Sequence, residues 1–398
     1  MLLLYAAGLR QNLPYAKEAD EDLIVSAAGN IAETGDLNPR VFSWPASTSI
    51  YPLALGYKVA GLTDIETDGM MFVDPRRGQF VMPARVMSVA YAFGAAVVLF
   101  VLVRSVFDRS VAFAALILGA ASPLMAGYAQ LARPDTAAVF FASALLLAVI
   151  RASERPTARR YAIAGALLGL GVATRYFVVA LAPVVAVAAL AAPVPWRRRF
   201  TLVGVAAIVS FAVFAIVTPY FFLDFEQAWH NLRTEARDTH PGADGLSRPE
   251  NLWWYLAVAL PDDMGWPLAF VASAGCLGLL VKGPWARRYA VLGAGLFLLG
   301  TSAAALHWAR WVIPVLPWFG VAAAWLVLPS ALFTRLTPTS ITTAPGFTIS
   351  GPTSPATPAA AMRMSARFAS VGSSGDHLLQ EMTVASCRMS STAMGLPT

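Results

Sequence analysis

Long apolar stretches alternate with short polar loops along most of the chain. A membrane span needs about 20 apolar residues, because each helical residue advances the chain by about 1.5 Å. The apolar runs lie at roughly 83–103, 110–130, 135–150, 161–193, 200–219, 265–281, 289–306 and 311–333. The pattern predicts an all-α, polytopic membrane protein.

The run 161–193 does not fit one crossing, since a single helix of that length would reach about 50 Å. Its middle carries Gly169, Gly171 and Arg175. An arginine near the centre of a bilayer costs about 2.5–3.5 kcal/mol on insertion scales. We therefore expect a hairpin of two shortened helices with Arg175 at its tip.

Basic residues are distributed unevenly between the loops. One set of alternate loops is rich in them: Arg104, Arg109, Arg151, Arg155, Arg159, Arg160, Arg197, Arg198, Arg199, Lys282, Arg287 and Arg288. The other short loops hold Arg133, Arg175 and Arg310. Because cytoplasmic loops carry the excess of Lys and Arg, the rich loops are predicted to be cytoplasmic. Two long hydrophilic segments, 10–82 and 220–264, are then external.

The predicted organisation has six parts. They are a truncated first transmembrane helix (1–9), a first external loop with an acidic motif (10–82), transmembrane helices that include the hairpin (83–219), a second external loop (220–264), C-terminal transmembrane helices (265–333) and a low-complexity tail (334–398). The tail is rich in Thr, Ser, Pro and Ala without periodicity, which predicts a disordered cytoplasmic segment.

Composition agrees with a membrane protein and excludes other classes. Hydrophobic residues make up 57% of the chain and charged residues 13%, against about a quarter charged in soluble domains. Two cysteines, Cys276 and Cys387, form no disulfide framework. The net charge of +6 comes from the loop arginines and accompanies no nucleic-acid motif.

Acidic residues open the first external segment. Glu18, Asp20, Glu21 and Asp22 lie together, and Asp135 begins a later span on the same side. Clustered carboxylates are candidates for a general base or a cation site. The alternative is ordinary helix-start chemistry, since acidic side chains favour the N-terminal end of a helix.

Three basic side chains share the external compartment. His240 precedes Pro241 and Gly242 in the second loop, where a solvated turn is the alternative to a functional role. Arg310 enters a span that Pro314 and Pro317 would kink. Arginine suits phosphate because its planar fork donates two hydrogen bonds. The alternative is an arginine that only extends its charged end to the membrane interface, which the same sequence would also encode. With Arg175, these residues favour transfer from an anionic lipid carrier.

Several motifs resemble those of the GT-C glycosyltransferases, in the branch of protein-mannosyltransferase-like and aminoarabinose-transferase-like enzymes that use polyprenyl-phosphate sugars. In chain order, the stretches that resemble the pattern are Asp20-Glu21, Gly35-Asp36 through Trp44-Pro45, Leu131 to Asp135, Gly169 to Tyr176, Thr218 through Gly242, and Arg310-Trp311 with Pro314 and Pro317. The similarity covers about residues 5–330. The resemblance implies a GT-C-like bundle of about nine full or partial transmembrane helices with two long external loops.

The resemblance also implies roles for the candidates. Asp20 would activate the acceptor hydroxyl with support from Glu21, and Asp135 would assist the same site. Arg175 and Arg310 would hold the lipid phosphate, while His240 would line the cavity. The donor would be a polyprenyl-phosphate sugar, and the acceptor a protein, lipid or glycan outside the cytoplasm. A divalent metal between the carboxylates is an open possibility.

The sequence departs from the family pattern in its short first span, its low-complexity tail and Trp311 in place of the usual tyrosine. Two alternatives to a glycosyltransferase remain. One is a transporter or flippase for a lipid-linked substrate, although its polar groups would be expected within broken spans near the midplane. The other is an inactive, truncated relative.

Overall fold

A computed structural model of the chain describes residues 1–13, 17–63, 77–240 and 242–328. The predicted tail at 334–398 lies outside these residues, as do 14–16 and 64–76 of the predicted first external loop. Within the described ranges the secondary structure is helical and includes no strand.

The α-helices follow one another in chain order as α1 (Leu2–Ala6), α2 (Ala19–Thr34), α3 (Ser47–Ala60), α4 (Arg77–Val106), α5 (Arg109–Ala115), α6 (Pro123–Ala129), α7 (Asp135–Glu154), α8 (Ala158–Thr174), α9 (Ala182–Leu190), α10 (Trp196–Val217), α11 (Tyr220–Leu223), α12 (Phe225–Glu235), α13 (Arg248–Trp254), α14 (Leu260–Met264), α15 (Trp266–Lys282), α16 (Trp285–Ser302) and α17 (Leu316–Val327). Short π-helical turns lie at Leu116–Ala120 and Tyr255–Ala259, and 3₁₀ turns at Tyr176–Leu181 and Ala309–Val312.

Three of the described helices are long and apolar enough to cross a membrane: α4 from Gly78 onward, α7 and α10. A fourth crossing is possible by length if the bent pair Arg109–Ala120 and Pro123–Ala129, which turns by 72°, counts as one span. The other apolar helices are shorter, at Tyr176–Leu190, Trp266–Lys282 and Leu316–Val327. Several predicted spans are therefore partial helices among the residues that the structure describes.

Proline explains one of these shorter helices. The apolar run predicted at 311–333 starts with a 3₁₀ turn, and α17 begins only at Leu316. Pro314 and Pro317 have no N–H to donate, so they are tolerated in a first turn and not in a helix interior. The chain before α17 is consequently irregular, and it carries Arg310.

The run 161–193 consists of two helical segments. Helix α8 ends at Thr174, and Arg175 has an extended backbone with φ −147° and ψ 127°. The chain then resumes as a 3₁₀ turn followed by α9. The break lies at the arginine, whose side chain is buried within the protein.

Helices α8 and α10 pack closely because of two glycines. A Cβ atom at Gly165 would lie 2.3 Å from the Ala206 carbonyl oxygen, and one at Gly169 would lie 2.5 Å from that of Ser210. Small residues four positions apart let helix backbones approach in a membrane, where packing drives association. The opposite side of α10 exposes Phe200, Ile208, Phe211 and Ile216, which suits contact with lipid.

The segment predicted to be the first external loop forms a helical layer on α4. Helices α2 and α3 pack together, and their core includes Ile24, Ile50 and Tyr57. The start of α4 closes this core with Phe80, whose carbonyl accepts a hydrogen bond from the Tyr57 hydroxyl. This packing holds the first turn of α2 above the start of α7.

Candidate active site

Four irregular points of the chain bring their charged side chains together. They are the first turn of α2, the segment 131–135 before α7, the break between α8 and α9, and the 3₁₀ turn at Ala309–Val312. Each point lies where a helix ends or begins, so its side chains can point along the helix axis toward one another and not only outward from a helix side. The result is a connected set of carboxylates and guanidinium groups.

Glu21 makes a fully buried ion pair with Arg85 of α4. The Arg85 Nε and Nη2 atoms each donate to a different Glu21 carboxylate oxygen at 2.9 Å, and both side chains are 0% exposed. The backbone N–H groups of Lys17 and Ala132 donate to the same carboxylate at 2.7 and 2.8 Å. Burial alone would raise the pKa of Glu21, but these hydrogen bonds and the Arg85 charge lower it below its ordinary value. Glu21 is therefore ionised and fully bonded.

Arg133 links three carboxylates while being 1% exposed. Its Nη1 atom lies 2.5 Å from Asp20 Oδ2 and 2.8 Å from Glu18 Oε2, and its Nε atom donates to Asp135 Oδ2 at 3.1 Å. Burial lowers the pKa of Arg133, but Asp135, Asp20 and Glu18 together raise it above its ordinary value. The guanidinium stays charged and sets the separation between Asp20 and Asp135.

Asp135 lies between two arginines. Its Oδ1 atom accepts a hydrogen bond from Arg175 Nη2 at 2.6 Å, and its Oδ2 atom accepts the one from Arg133. Both oxygens of this buried carboxylate are therefore occupied. A buried ion pair persists only where further hydrogen bonds compensate the lost hydration, and Asp135 meets this condition.

Asp20 differs because its side chain is 31% exposed. Besides Arg133, its Oδ2 atom faces Arg310 Nη2 at 3.8 Å. No described residue hydrogen-bonds to the other carboxylate oxygen, Oδ1. Asp20 is thus held by one oxygen and accessible at the other.

His240 approaches this network through an aromatic side chain. Its ring meets the Trp308 ring edge to face with centroids 4.8 Å apart, and its backbone N–H donates to Asp244 at 2.8 Å. The Arg310 guanidinium lies over the same Trp308 ring, 4.3 Å from the centroid. His240 therefore supports the wall behind Arg310.

The ion pairs form a charged row that runs from Glu18 through Arg133 and Asp135 to Arg175. A cavity opens at each end of this charged row. One has a volume of about 530 Å³ and is lined at its inner end by Arg175, Tyr176 and Trp311, with Trp44 beside them. The other, of about 410 Å³, is lined by Glu18, Tyr128, Asp262 and Asp263 among others. Neither His240 nor Arg310 belongs to the described lining of the first cavity. Asp20 lies between the two ends, since Arg133 joins it both to Glu18 and to Asp135.

Within the described ranges, no group of three His, Cys, Asp or Glu residues is arranged to hold a metal ion. The partly exposed carboxylates of the network are those of Glu18 and Asp20, and both contact Arg133.

The structure brings together most of the residues singled out from the sequence. One ion-pair network contains Asp20, Asp135, Arg175 and Arg310. Glu21 faces the interior instead, and His240 is separated from the network by the Trp308 ring. The sequence argument placed Glu18 in the acidic cluster and Arg133 in a predicted external loop without giving either a role of its own, and it did not single out Arg85. One signal could have found Arg85, because an arginine inside an apolar run needs a carboxylate partner.

Comparison with known proteins gives one match to a family model. Residues 77–222 match the family model described as dolichyl-phosphate-mannose-protein mannosyltransferase. That stretch runs from the start of α4 to α11 and contains Arg85, Arg133, Asp135 and Arg175. No curated protein sequence matches the chain significantly.

Solved structures show the same fold. The chain matches ArnT from Cupriavidus metallidurans bound to undecaprenyl phosphate with a TM-score of 0.58 and 15% identity, covering 84% of this chain and 60% of ArnT. It matches the archaeal oligosaccharyltransferase AglB from Archaeoglobus fulgidus, in complex with an inhibitory peptide and a dolichol-phosphate, with a TM-score of 0.52 and 14% identity. That match covers 84% of this chain and 50% of AglB.

The chain therefore has the fold of ArnT and AglB, and the prediction of an all-α membrane fold of the GT-C type is confirmed. The family-model match covers residues 77–222, which is less than half of the chain. The chain spans about three fifths of the length of ArnT and half that of AglB.

Proposed function

We propose that this protein is a membrane glycosyltransferase that moves a sugar, hexosyl or pentosyl, from a polyprenyl-phosphate donor to an acceptor hydroxyl on the extracytoplasmic side. The observation that carries the proposal is the partly exposed Asp20, held by Arg133 at one oxygen and faced by Arg310. A carboxylate beside a phosphate-binding arginine is the pair that such a transfer needs. The GT-C fold supports the same conclusion.

In the proposed reaction Asp20 acts as the general base. Its Oδ1 atom takes the proton of the acceptor hydroxyl, whose oxygen attacks the anomeric carbon of the donor from the face opposite the phosphate. The bond between that carbon and the phosphate oxygen breaks, and its electron pair leaves with the lipid phosphate. Inversion at the anomeric carbon follows from this single displacement.

The arginines stabilise the leaving phosphate. Arg310 is partly exposed and only 3.8 Å from Asp20, so it can turn to a phosphate without breaking a short ion pair. Arg175 remains on Asp135 through Nη2 and contributes its positive charge. Fixed charges that meet developing negative charge are among the largest contributions to catalysis.

Glu21 and Asp135 take positioning roles in this proposal. Glu21 fastens the first turn of α2 to α4, so that the neighbouring Asp20 projects toward Arg133. Asp135 holds Arg133 and Arg175 apart at a fixed distance. His240 lines the site indirectly by packing on Trp308. A divalent metal at Asp20 stays a possibility that chelation during the assay would test.

Replacing Asp20 by Asn tests the catalytic proposal. Removing a general base lowers the rate by about 10²–10⁴-fold, and we expect that loss in sugar transfer from polyprenyl-phosphate donors in membranes. The matched control is Asp36→Asn, because Asp36 is an exposed carboxylate of the same predicted external segment. Its carboxylate bonds to Arg40 and to the Asn38 backbone N–H, not to the network. Equal turnover of Asp20→Asn and the parent protein would remove Asp20 from the mechanism.

The transporter alternative predicts a different product. A transporter would accumulate the lipid-linked substrate in sealed vesicles without making a new glycosidic bond. The glycosyltransferase would release polyprenyl phosphate and a glycosylated acceptor in equal amounts. An inactive relative would do neither in the presence of a panel of donors.

Cysteine labelling tests the proposed orientation. Ser247 caps α13 in the second predicted external loop and lines the larger cavity of the site. In a background without Cys276 and Cys387, Ser247→Cys is expected to react with an impermeant thiol reagent in intact cells. Thr157→Cys, on the arginine-rich side, is expected to react only after lysis. The opposite pattern would invert the topology.

A further inference from the structure

Two residues that line the cavity beside Arg175 carry buried N–H groups for which the described residues supply no acceptor. Trp311 and Arg175 both line the cavity, and they are 5% and 7% exposed. Trp311 Nε1 and Arg175 Nε have no hydrogen-bond partner among the described residues. Buried indole N–H groups usually find an acceptor, so this pair is suited to a ligand that carries oxygen atoms.

The rest of the lining indicates which kind of ligand fits. Trp44 and Tyr176 contribute aromatic surface, and Trp311 packs on Phe177 with ring centroids 4.6 Å apart. The volume of about 530 Å³ lies within the range of about 300–1,000 Å³ found for small-molecule sites. A sugar ring presents C–H groups to aromatic faces and hydroxyl oxygens to N–H donors.

An apolar lipid chain fits this cavity poorly. Its outer wall carries Glu235, Arg237, Asp238 and Arg248 from α12 and the segments that follow it. A separate cavity of about 640 Å³ has an almost wholly apolar lining that includes Trp253, Trp266 and Phe270, and it suits hydrocarbon better. The acceptor is expected at the other end of the row, beside Glu18.

We propose that the Arg175–Trp311 cavity binds the sugar of the lipid-linked donor, and that the Trp311 indole N–H determines which sugar is accepted by donating to one of its oxygens. The proposal rests on the proposed function for the identity of the donor. It assigns recognition of the sugar to Trp311 and leaves the phosphate to Arg310. A tyrosine or phenylalanine at position 311 would fill the same wall without an indole N–H.

A binding cycle on the purified full chain tests this assignment. Affinities are measured for undecaprenyl phosphate and for undecaprenyl phosphate carrying mannose, glucose or a pentose. For each sugar, the affinity for the conjugate divided by the affinity for undecaprenyl phosphate alone measures the contribution of that sugar. Trp311→Phe keeps an aromatic ring at this position and removes the N–H together with part of the indole ring. A lost hydrogen bond of this kind predicts a fall of about ten-fold in the ratio for the preferred sugar, with undecaprenyl phosphate itself bound as before.

Trp253→Phe is the matched control, because Trp253 is 70% exposed and lies in the apolar cavity. It is expected to leave the ratio unchanged. The proposal is overturned if Trp311→Phe leaves the ratio unchanged, if it weakens undecaprenyl phosphate and its sugar conjugates equally, or if no sugar strengthens binding to the parent protein. Because the cycle measures binding, an inactive parent protein would count against the proposed function and not against this assignment.

Discussion

Asp20 and Glu21 are neighbours in the first turn of α2, yet they lie in opposite environments. Glu21 is 0% exposed, and both its oxygens are bonded to Arg85 and to backbone N–H groups. Asp20 is 31% exposed, and its contacts with Arg133 and Arg310 involve one oxygen. We call Glu21 with Arg85 the interior pair and Asp20 with Arg133 the open pair. Both pairs consist of a carboxylate and a guanidinium.

The difference lies in what remains available. A carboxylate with every lone pair occupied can hold a helix in place but cannot take a proton from a substrate. A carboxylate held at one oxygen is oriented and still reactive. The two adjacent acids thus have different roles: Glu21 holds α2 in position, and Asp20 is available for the reaction that we propose.

The largest effect is expected from breaking the interior pair. Arg85→Met leaves Glu21 charged and buried, and removing one partner of such a pair costs about 3–5 kcal/mol. We expect that loss in the free energy of unfolding, measured by denaturant titration in detergent micelles. The double variant Glu21→Gln/Arg85→Met should recover part of the loss, since no charge is then left unpaired. A double variant no more stable than Arg85→Met would contradict a role for the charge.

A smaller effect is expected from changing the geometry of the open pair. Arg133→Lys keeps the charge, but a single ammonium nitrogen replaces the separate Nε and Nη1 atoms that bond to Asp135 and to Asp20 with Glu18. Misplacing a reactive group by about 1 Å can cost about 10²-fold in rate, and we expect a fall of that order in kcat. Because Arg133 is assigned to positioning, the donor KM should change little. A rise in KM with kcat unchanged would instead assign Arg133 to binding.

Arg310→Lys should sharpen the contrast further. Lysine replaces the planar fork by a point charge and loses bidentate contact with phosphate. We expect about a ten-fold rise in the donor KM, with the free energy of unfolding unchanged, in steady-state assays across donor concentrations. Arg109→Lys, on the predicted cytoplasmic side and over the Phe113 ring, is the matched control. An equal response to both substitutions would exclude a phosphate site at Arg310.

The smallest effect concerns pH and the interior pair. The pKa of Glu21 is lowered in the folded protein relative to its ordinary value of 4.5, so its stabilising contribution is complete above about pH 4.5. That contribution is lost as the pH falls below 4.5 and through the folded-state pKa. The stability advantage of the parent protein over Glu21→Gln should therefore narrow in acid. A constant advantage from pH 7 to pH 3.5 would show that Glu21 acts without its charge.

The sequence supported much of the fold because hydropathy is a local property. Apolar runs such as 83–103 and 135–150 correspond to α4 and α7, and the arginine inside 161–193 lies at the break that follows α8. Helix lengths were less predictable. In the run at 311–333, prolines and a 3₁₀ turn delay the start of the helix to Leu316.

The candidate site was predictable as a set of residues and not as a set of pairs. Asp20, Asp135, Arg175 and Arg310 were chosen because they share a predicted compartment, and the structure does place them in one network. Arg133 was given no role of its own, although it is the side chain that joins Asp20 to Asp135. A charge census identifies the compartment but cannot rank the charges within it.

The amino-acid sequence alone was enough to identify a helical membrane protein, and it predicted that the candidate chemistry lies on one side of the membrane. The reason is that lipid forces every spanning segment to satisfy its own backbone hydrogen bonds, so the apolar runs must be helices. Which carboxylate pairs with which arginine follows only from the tertiary structure. Glu21 meets Arg85 across 64 residues of chain and Asp20 meets Arg133 across 113. Which of two adjacent acids faces the core depends on how α2 packs on α4, and no local pattern contains that information.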